Sequence, residues 1–374
     1  MTGKRAILDG PNRFKLAVFS VNIAGGLLMS DAEGLPDGSW EESTRLTAAA
    51  ERAGFEAVVP LARWRGHGGR LNPAAHSLET FTWAAGLSAL TERINIFATF
   101  HVPTVHPIMA AKMGATIDHI SNGRFGLNIV AGWQPDELAM FGVAKHDHDE
   151  RYAVAAEWTE LVEELWTREG SFDFDGTYFK APGAFSEPKP VQRRPIIMSA
   201  GASPAGRQFA AAHADMIFVA IENPDKTAET VREIKRLARE SHGREIKVFG
   251  VGHITCRDTE EEARAYYDHV INEHGDWEAA RITIDKLMKH SQTIDYESAE
   301  TRRLMEGVIR AFFAFPLTGT PEQVVEMIGR QAEAGLEGMA ITWNDYDEGI
   351  EQYRDALLPL MVEAGLREPL PSNA

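Results

Sequence analysis

Residues 94–133 read INIFATFHVPTVHPIMAAKMGATIDHISNGRFGLNIVAGW: a strand-like run, an amphipathic stretch and a second strand-like run. The two runs, INIFATFH (94–101) and FGLNIVAG (125–132), are almost continuously apolar. Strands buried on both faces have that composition, because helices cover a parallel sheet above and below. PIMAAKMGATIDHIS (107–121) is long enough to be the crossover helix that parallel strands require. Asn128 interrupts the second run with a side-chain amide. Two readings compete for it: a core polar group tied to neighbouring backbone, or a functional group at a strand end.

The same unit recurs along the chain. Strand-like segments at 14–23, 57–62, 94–101, 125–132, 195–200, 216–221, 246–256 and 338–344 precede amphipathic segments at 39–54, 77–91, 107–121, 149–167, 203–214, 224–241, 259–272 and 346–365. Such alternation means parallel strands with right-handed crossovers, and eight repeats predict a closed (β/α)₈ TIM barrel. An open doubly wound sheet is the competitor, and its dinucleotide-binding form is weakened because no GxGxxG follows the first strand. Residues 1–374 therefore read as a single barrel domain with short loose tails, the last being REPLPSNA. Two insertions interrupt the pattern. Residues 168–194 predict a hairpin around Asp175-Gly176, and residues 276–315 predict extra helices or a lid. GTPEQV places Thr320 as N-cap, Pro321 at the first helical position and Gln323 in a capping box. Gly54, Gly243 and Gly365 stand where helices end.

Composition narrows the function. The chain has 374 residues, 44% of them hydrophobic, and 55 acidic against 38 basic residues give a formal net charge of −17. That balance opposes nucleic-acid binding and anionic membrane surfaces, both of which need clustered Lys and Arg. Cys256 is the one cysteine, so no internal disulfide can form, which fits a reducing compartment. The first residues lack an apolar signal region and no apolar run approaches a membrane span, so a cytoplasmic enzyme is expected.

Ligands of such barrels bind at the C-terminal strand ends. The polar or unusual residues expected there are Arg63, Trp64 and Arg65; Thr99 and His101; Asn128 and Trp133; the run SAGAS (199–203); and Trp343, Asn344 and Asp345. In SAGASPAGRQFA, Ser203 suits an N-cap and Pro204 a first helical residue. Free N–H groups at that helix start suit a phosphate, although an ordinary capped turn reads the same way. His146 and His148 in KHDHDERY are two apart, a spacing that fits no helical metal pair, and Asp149 reads as a helix cap. HExxH, CxxC, P-loop and GxSxG motifs are missing, so no metal site is expected. Trp158 and Trp166 read as core.

HPIMAAKMGATIDHISNGRFGLNIVAGW (106–133), HDERYAVAAEWTELVEELWT (148–167), PKPVQRRPIIMSAGASPAGRQFAAAHAD (188–215) and FPLTGTPEQVVEMI (315–328) together resemble the bacterial luciferase-like flavin-dependent monooxygenases. The resemblance covers about residues 14–365 and is similar in particular to the branch of pyrimidine-opening and dimethylsulfone monooxygenases. It implies a (β/α)₈ barrel that takes reduced FMN from a separate flavin reductase, uses O₂ as co-substrate and assembles as a homodimer or homotetramer. It implies FMN contacts from Ala62, Arg63, Asn128, Glu137, Arg151 and Tyr152, and a phosphate turn at Gly201, Ala202 and Ser203. It also implies an oxygen pocket lined by Thr99 and Asn128 beside Trp133, and a cis bond at Ala98–Thr99. Arg63 stands where the branch has Lys, which keeps the charge and changes the shape. Leu61 and Met216 replace a Met near the substrate and a Phe after the sixth strand.

The function these residues imply is oxygenation, with opening or cleavage, of a small polar substrate such as a pyrimidine- or pyridine-like heterocycle. Thr99 hydroxyl and Asn128 amide would both donate hydrogen bonds to the oxygen being activated. A sulfone monooxygenase, a deazaflavin-dependent dehydrogenase and a non-catalytic flavin-binding protein are the alternatives.

Overall fold

The structure, a computed structural model, describes residues 5–143, 147–288 and 294–371; His146 and the last three residues of the C-terminal tail lie outside them. Eight parallel strands form at Lys15–Phe19, Ala57–Val59, Asn95–His101, Phe125–Val130, Ile196–Ser199, Met216–Val219, Lys247–Cys256 and Gly338–Thr342. Each pairs with its neighbour in sequence order, and the eighth returns to the first through Gly338↔Lys15 to Ile341↔Val18. The sheet is therefore closed, and the open doubly wound alternative falls. All eight strands lie within the runs that the apolar pattern marks.

Side-chain alternation divides the core in two. Outward residues such as Val18, Val58, Ile96, Ala98, Leu127 and Ile129 pack with the surrounding helices. Inward residues Ala17, Val59, Phe97, Met198, Met216, Phe249 and Ala340 fill the barrel, joined by Ile7 and Leu8 from the short helix Ala6–Asp9. Ile7 donates its N–H to Asn95 Oδ1 at 3.0 Å, so this helix closes the end where the third strand begins. Thr99, two residues beyond Phe97, and Asn128, two beyond Gly126, continue the inward rows toward the opposite, C-terminal mouth.

Local signals decide the helix ends. Thr320 and Gln323 form both halves of the capping box on Pro321–Glu333. Gly54, Gly243 and Gly365 take positive φ just past their helices. The helix His148–Thr167 begins one residue after Asp147, which takes the N-cap position; Asp149 falls in the first turn, where its charge still suits the helix dipole. Trp158 and Trp166 are fully buried, and their indole N–H groups reach the carbonyls of Val105 and Ala111 at 2.8 and 3.0 Å. Met216 opens the sixth strand instead of following it, and packs inside the barrel.

Both insertions take the expected form. Phe172–Asp175 and Lys180–Ala184 make an antiparallel hairpin. Helices Trp277–Leu287 and Ala299–Ile309 form a cap with its own apolar cluster. One strand escapes the sequence pattern. Phe315–Gly319 pairs with Gly252–Cys256, the outer half of the long seventh strand. Its FPLTG run is too short and too mixed to stand apart from the helix that follows.

The barrel interior is tight at the fourth strand. A Cβ on Gly126 would stand 2.3 Å from the Phe97 ring. Phe97 is fully buried and has no room to withdraw. Gly126→Ala is therefore expected to destabilise the fold by about 1–3 kcal/mol through overpacking, read as a lower urea midpoint with an unchanged slope.

Candidate functional site

The third and fourth strands place the first pair. Thr99 and Asn128 are register partners, so their side chains stand side by side on the inner face. Asn128 Nδ2 donates to Thr99 Oγ1 at 3.1 Å, and Thr99 Oγ1 donates to the Pro60 carbonyl at 2.6 Å. This chain fixes the amide. A carbonyl can only accept, so the Thr99 proton belongs to Pro60 and its oxygen must accept from nitrogen. Thr99 thus has no second proton to offer; it orients Asn128. Asn128 Oδ1 is buried without a partner. The Thr80 hydroxyl holds the Thr99 carbonyl. Among the described residues the cis bond is Glu187–Pro188, and the register of the third and fourth strands runs unbroken through Ala98–Thr99, contrary to the cis bond implied there.

A second group gathers around Glu137, which is wholly buried on the short helix Pro135–Met140. Its Oε1 accepts from the backbone N–H groups of Trp64 and Arg65 at 3.1 and 3.2 Å. Its Oε2 faces Arg63 Nη1 and His101 Nδ1, each at 3.5 Å. Burial pulls the Arg63 pKa below its ordinary value, and the Glu137 charge opposes that pull. Burial, with Arg63 as the lesser cause, lowers His101 to about 3, so its ring is neutral. Arg63 also lies over the Trp133 ring, 4.9 Å from its centroid. Ala62 is buried beside it, and Asn22 pins the preceding residue through Leu61 N–H and carbonyl at 2.9 and 2.8 Å.

The remaining predicted residues form a third group. Arg151 donates to the Gly132 carbonyl, next to Trp133, which links helix His148–Thr167 to the end of the fourth strand. Tyr152 lies over the turn after the fifth strand: a Cβ on Gly201 would stand 2.9 Å from its hydroxyl and 2.8 Å from Gly206 Cα. Only glycine leaves that backbone open. Ser203 caps helix Pro204–His213 by accepting from Gly206 N–H at 3.1 Å, with Ala202 exposed before it. Pro204 has no N–H, and those of Gly206 and Arg207 go to Ser203 Oγ and its carbonyl, so in the first turn the Ala205 N–H is the one without an intrahelical acceptor.

Residues at the eighth strand end do not join. Trp343 packs outward on Phe55 and Tyr346, Asp345 caps the next helix, and Asn344 donates to the Glu33 carbonyl and Tyr266 hydroxyl at 2.7 Å each. Two residues were missed. Phe312 stacks on Trp133 and on His67 at centroid distances of 5.6 and 5.7 Å. It sits in a run, Ala311 to Phe313, whose φ values are all positive, 49°, 54° and 69°. Nothing in AFFAF signals a left-handed turn, since only Gly and Asn normally advertise one. His67, held by Thr283 across 3.3 Å, was hidden in a loop.

Four buried polar atoms here have no hydrogen-bond partner, Arg63 Nε, Asn128 Oδ1, Gln134 Oε1 and Arg151 Nε, while Arg63 Nη1, His101 Nδ1 and Glu137 Oε2 have only the 3.5 Å contacts already described. Each such atom costs about 1–3 kcal/mol when nothing satisfies it. A wall carrying four, beside three held only by long contacts, is shaped for a polar ligand. Two surface clefts elsewhere are of another kind: one of about 370 Å³ is lined by Glu157, Glu160, Glu164 and Asp173, and the other holds only about 10 Å³.

The family model described as Luciferase-like monooxygenase matches residues 16–338. Pyrimidine monooxygenase RutA of Acinetobacter baylyi is 33% identical over 357 residues, covering 93% of this chain and 95% of that protein. A riboflavin lyase, solved with modified FMN and riboflavin, superposes with a TM-score of 0.82 at 23% identity, covering 95% of this chain and 93% of that one. A long-chain alkane monooxygenase does so at 0.81 and 20% identity, covering 95% and 92%. At these identities the two structures show the shared barrel fold.

The buried imidazoles set an acid limit. His67, His101 and His253 all have pKa values lowered to about 3, chiefly by burial, so the unfolded chain binds more protons between pH 6.5 and about 3. Stability is full above pH 6.5 and is expected to fall as pH drops through that window. Denaturation at stepped pH should show a shallower decline in His101→Gln than in the parent. Glu137→Ala, which strands Arg63 in a dry site, should cost about 3–5 kcal/mol; the Glu137→Ala, Arg63→Met pair should recover part of it.

Proposed function

Because the chain belongs to the luciferase-like monooxygenase family, we propose that it takes reduced FMN from a separate flavin reductase and transfers one atom of O₂ to a small, planar nitrogen heterocycle, the second atom leaving as water. The observation that carries this reading is the group of buried polar atoms at the mouth of the second, third and fourth strands that have no partner or only long contacts. They fit a flavin ring, which offers carbonyl and ring-nitrogen partners along one edge and an apolar body elsewhere. The Gly201–Ala202–Ser203 turn and the helix behind it fit its phosphate. Arg151 and Tyr152 stand between these two regions and would hold the cofactor along its length.

When bound, reduced FMN supplies the two electrons that activate O₂. The chain supplies position, charge and dryness. Asn128 keeps one amide hydrogen and its Oδ1 for the reacting edge, and Thr99 with Pro60 holds that amide still. A donor fixed in advance costs no reorganisation during the reaction. Arg63 offers its Nε–H, and Trp133 and Phe312 offer ring faces. A flat ring with carbonyl acceptors uses both features, whereas a sulfone uses only the first. Neutral His101 adds a hydrogen bond without a second positive charge. Among the relatives, the name pyrimidine monooxygenase makes uracil-like rings the first substrates to try. The reductase partner and a homodimeric or homotetrameric assembly belong to the same reading.

The test supplies FMN, NADH, a flavin reductase and labelled O₂ with uracil-like rings, pyridines and small sulfones. Label in a heterocyclic product supports the proposal; preferential binding of a deazaflavin, or flavin binding without turnover, sinks it. Asn128→Ala should lose oxygenation by about 10²–10³-fold, the usual cost of one preorganised donor, while FMN affinity changes little. Thr99→Val should lose less than Asn128→Ala and Thr99→Ser should retain activity, because serine keeps the relay. Arg151→Ala should raise the FMN dissociation constant. Full activity in Asn128→Ala would remove the pocket assignment.

A further inference from the structure

Residues 268–273 fold as a π turn, an uncommon backbone that continues the helix Glu260–Tyr267. Its bonds run from residue i+5 back to residue i, and His274 N–H reaches the His269 carbonyl at 3.1 Å. In an α-helix, side chains five apart diverge; the wider turn brings these two together. The imidazoles of His269 and His274 stand 4.4 Å apart by centroid, at 60°. Glu273 comes from the same turn, its Oε2 3.1 Å from His269 Nδ1. The loop after the first strand contributes two more carboxylates: Asp31 Oδ1 lies 3.0 Å from His274 Nδ1, and Glu33 Oε2 lies 3.4 Å from His269 Nε2. One donor atom each from His269, Glu273 and His274 lies within 4.8 Å of the others.

We propose that His269, Glu273 and His274 form a binding site for a divalent transition-metal ion of the zinc class. Two imidazole nitrogens and a carboxylate are a zinc donor set. The carboxylates of Asp31 and Glu33 occupy the other ring nitrogens, His274 Nδ1 and His269 Nε2. That leaves His274 Nε2 to face the ion, which would take the place of the proton between His269 Nδ1 and Glu273 Oε2; carboxylates stand in the same way behind metal-bound histidines. The local charge also asks for a cation: three carboxylates converge here, and Arg70, 2.5 Å from Asp31, answers one of them. The site lies outside the flavin region and stands whether or not the proposed oxygenation holds. Its place gives it a mechanical effect. Ser30 bridges Gly275, Asp31 N–H bonds the His274 carbonyl at 3.2 Å, and the Glu33 carbonyl accepts from Asn344 beyond the eighth strand. An ion would fix the two imidazoles that already hold Asp31 and Glu33 on that loop. HVINEH gave no motif because its third ligand lies on the shared face only in a π turn.

The test is equilibrium dialysis of the whole protein, freed of metal with a chelator, against zinc chloride, with thermal unfolding in parallel. One saturable equivalent with micromolar or tighter affinity and a raised melting temperature are expected. Affinity should fall about tenfold or more in His269→Gln and in His274→Gln. Glu273→Gln, which keeps the size and hydrogen-bonding capacity of an exposed side chain, should weaken binding with the metal-free fold unchanged by circular dichroism. Absence of saturable binding in the parent, or undiminished binding in the His269→Gln, His274→Gln pair, would overturn the site.

Discussion

The register between the third and fourth barrel strands is the constraint on which the mouth of this barrel depends. Thr99 opposite Asn128 puts a hydroxyl and an amide in contact on the inner face. A one-residue slip would turn Asn128 outward among the residues that pack against helices, and would face Ile129 into the barrel. The slip is blocked from both sides. Outward Ile96, Ala98, Leu127 and Ile129 are embedded in the helical core, and inward Phe97 occupies the space that Gly126 leaves. Packing therefore aims the amide, and the Pro60 carbonyl, through Thr99, settles which of its two ends points where.

Glu137 extends that order across the mouth. A buried carboxylate is costly unless it is bonded and paired. Here two backbone N–H groups hold one oxygen, and Arg63 faces the other. The same acid thus fixes the Trp64–Arg65 backbone and keeps Arg63 over Trp133. His101 stays neutral because burial and Arg63 both oppose its protonation, so the pair keeps a balanced charge. The geometry is also incomplete. Arg63 and His101 each face Glu137 at 3.5 Å, longer than a good hydrogen bond, and Arg63 Nε has no partner. The structural ion pair Arg367–Glu56 is closer, at 3.0 Å, and its guanidinium also bonds the Phe14 and Gly54 carbonyls.

What the sequence made legible follows from range. Apolar runs buried on both faces are a local signal, so all eight strands and their crossovers could be read. Caps such as Thr320–Gln323 are local too. Thr99, Asn128, Arg63, Glu137 and the Gly201–Ser203 turn were reached through position at strand ends and through family resemblance; their contacts, such as Thr99 to Pro60, were not visible. The failures are features set by tertiary packing. Phe315–Gly319 is a strand only because the seventh strand is long enough to offer an outer edge. The π turn at 268–273 and the left-handed run at 311–313 have no composition that announces them. Phe312 consequently looked like one more apolar residue.

That left-handed run bears on how the mouth closes. Three consecutive non-glycine residues in this region cost roughly 1–2 kcal/mol each. Local bonds from Phe312 and Phe313 N–H to the Val308 and Gly307 carbonyls recover part of this. The remainder is offset where the turn puts Phe312, against Trp133 and His67. The cap behind it carries its own apolar cluster, with Ile284, Met305, Val308 and Ile309 against Leu28 and Met29 from the loop after the first strand. Its ties to the second- and fourth-strand ends include the Phe312 ring stack, the Thr283–His67 bond and the Lys286–Asp136 ion pair at 3.1 Å. Separating the cap from those ends breaks these contacts and leaves its cluster whole. The strained residues 311–313 thus sit at the joint between the cap's own core and its contacts with the strand ends.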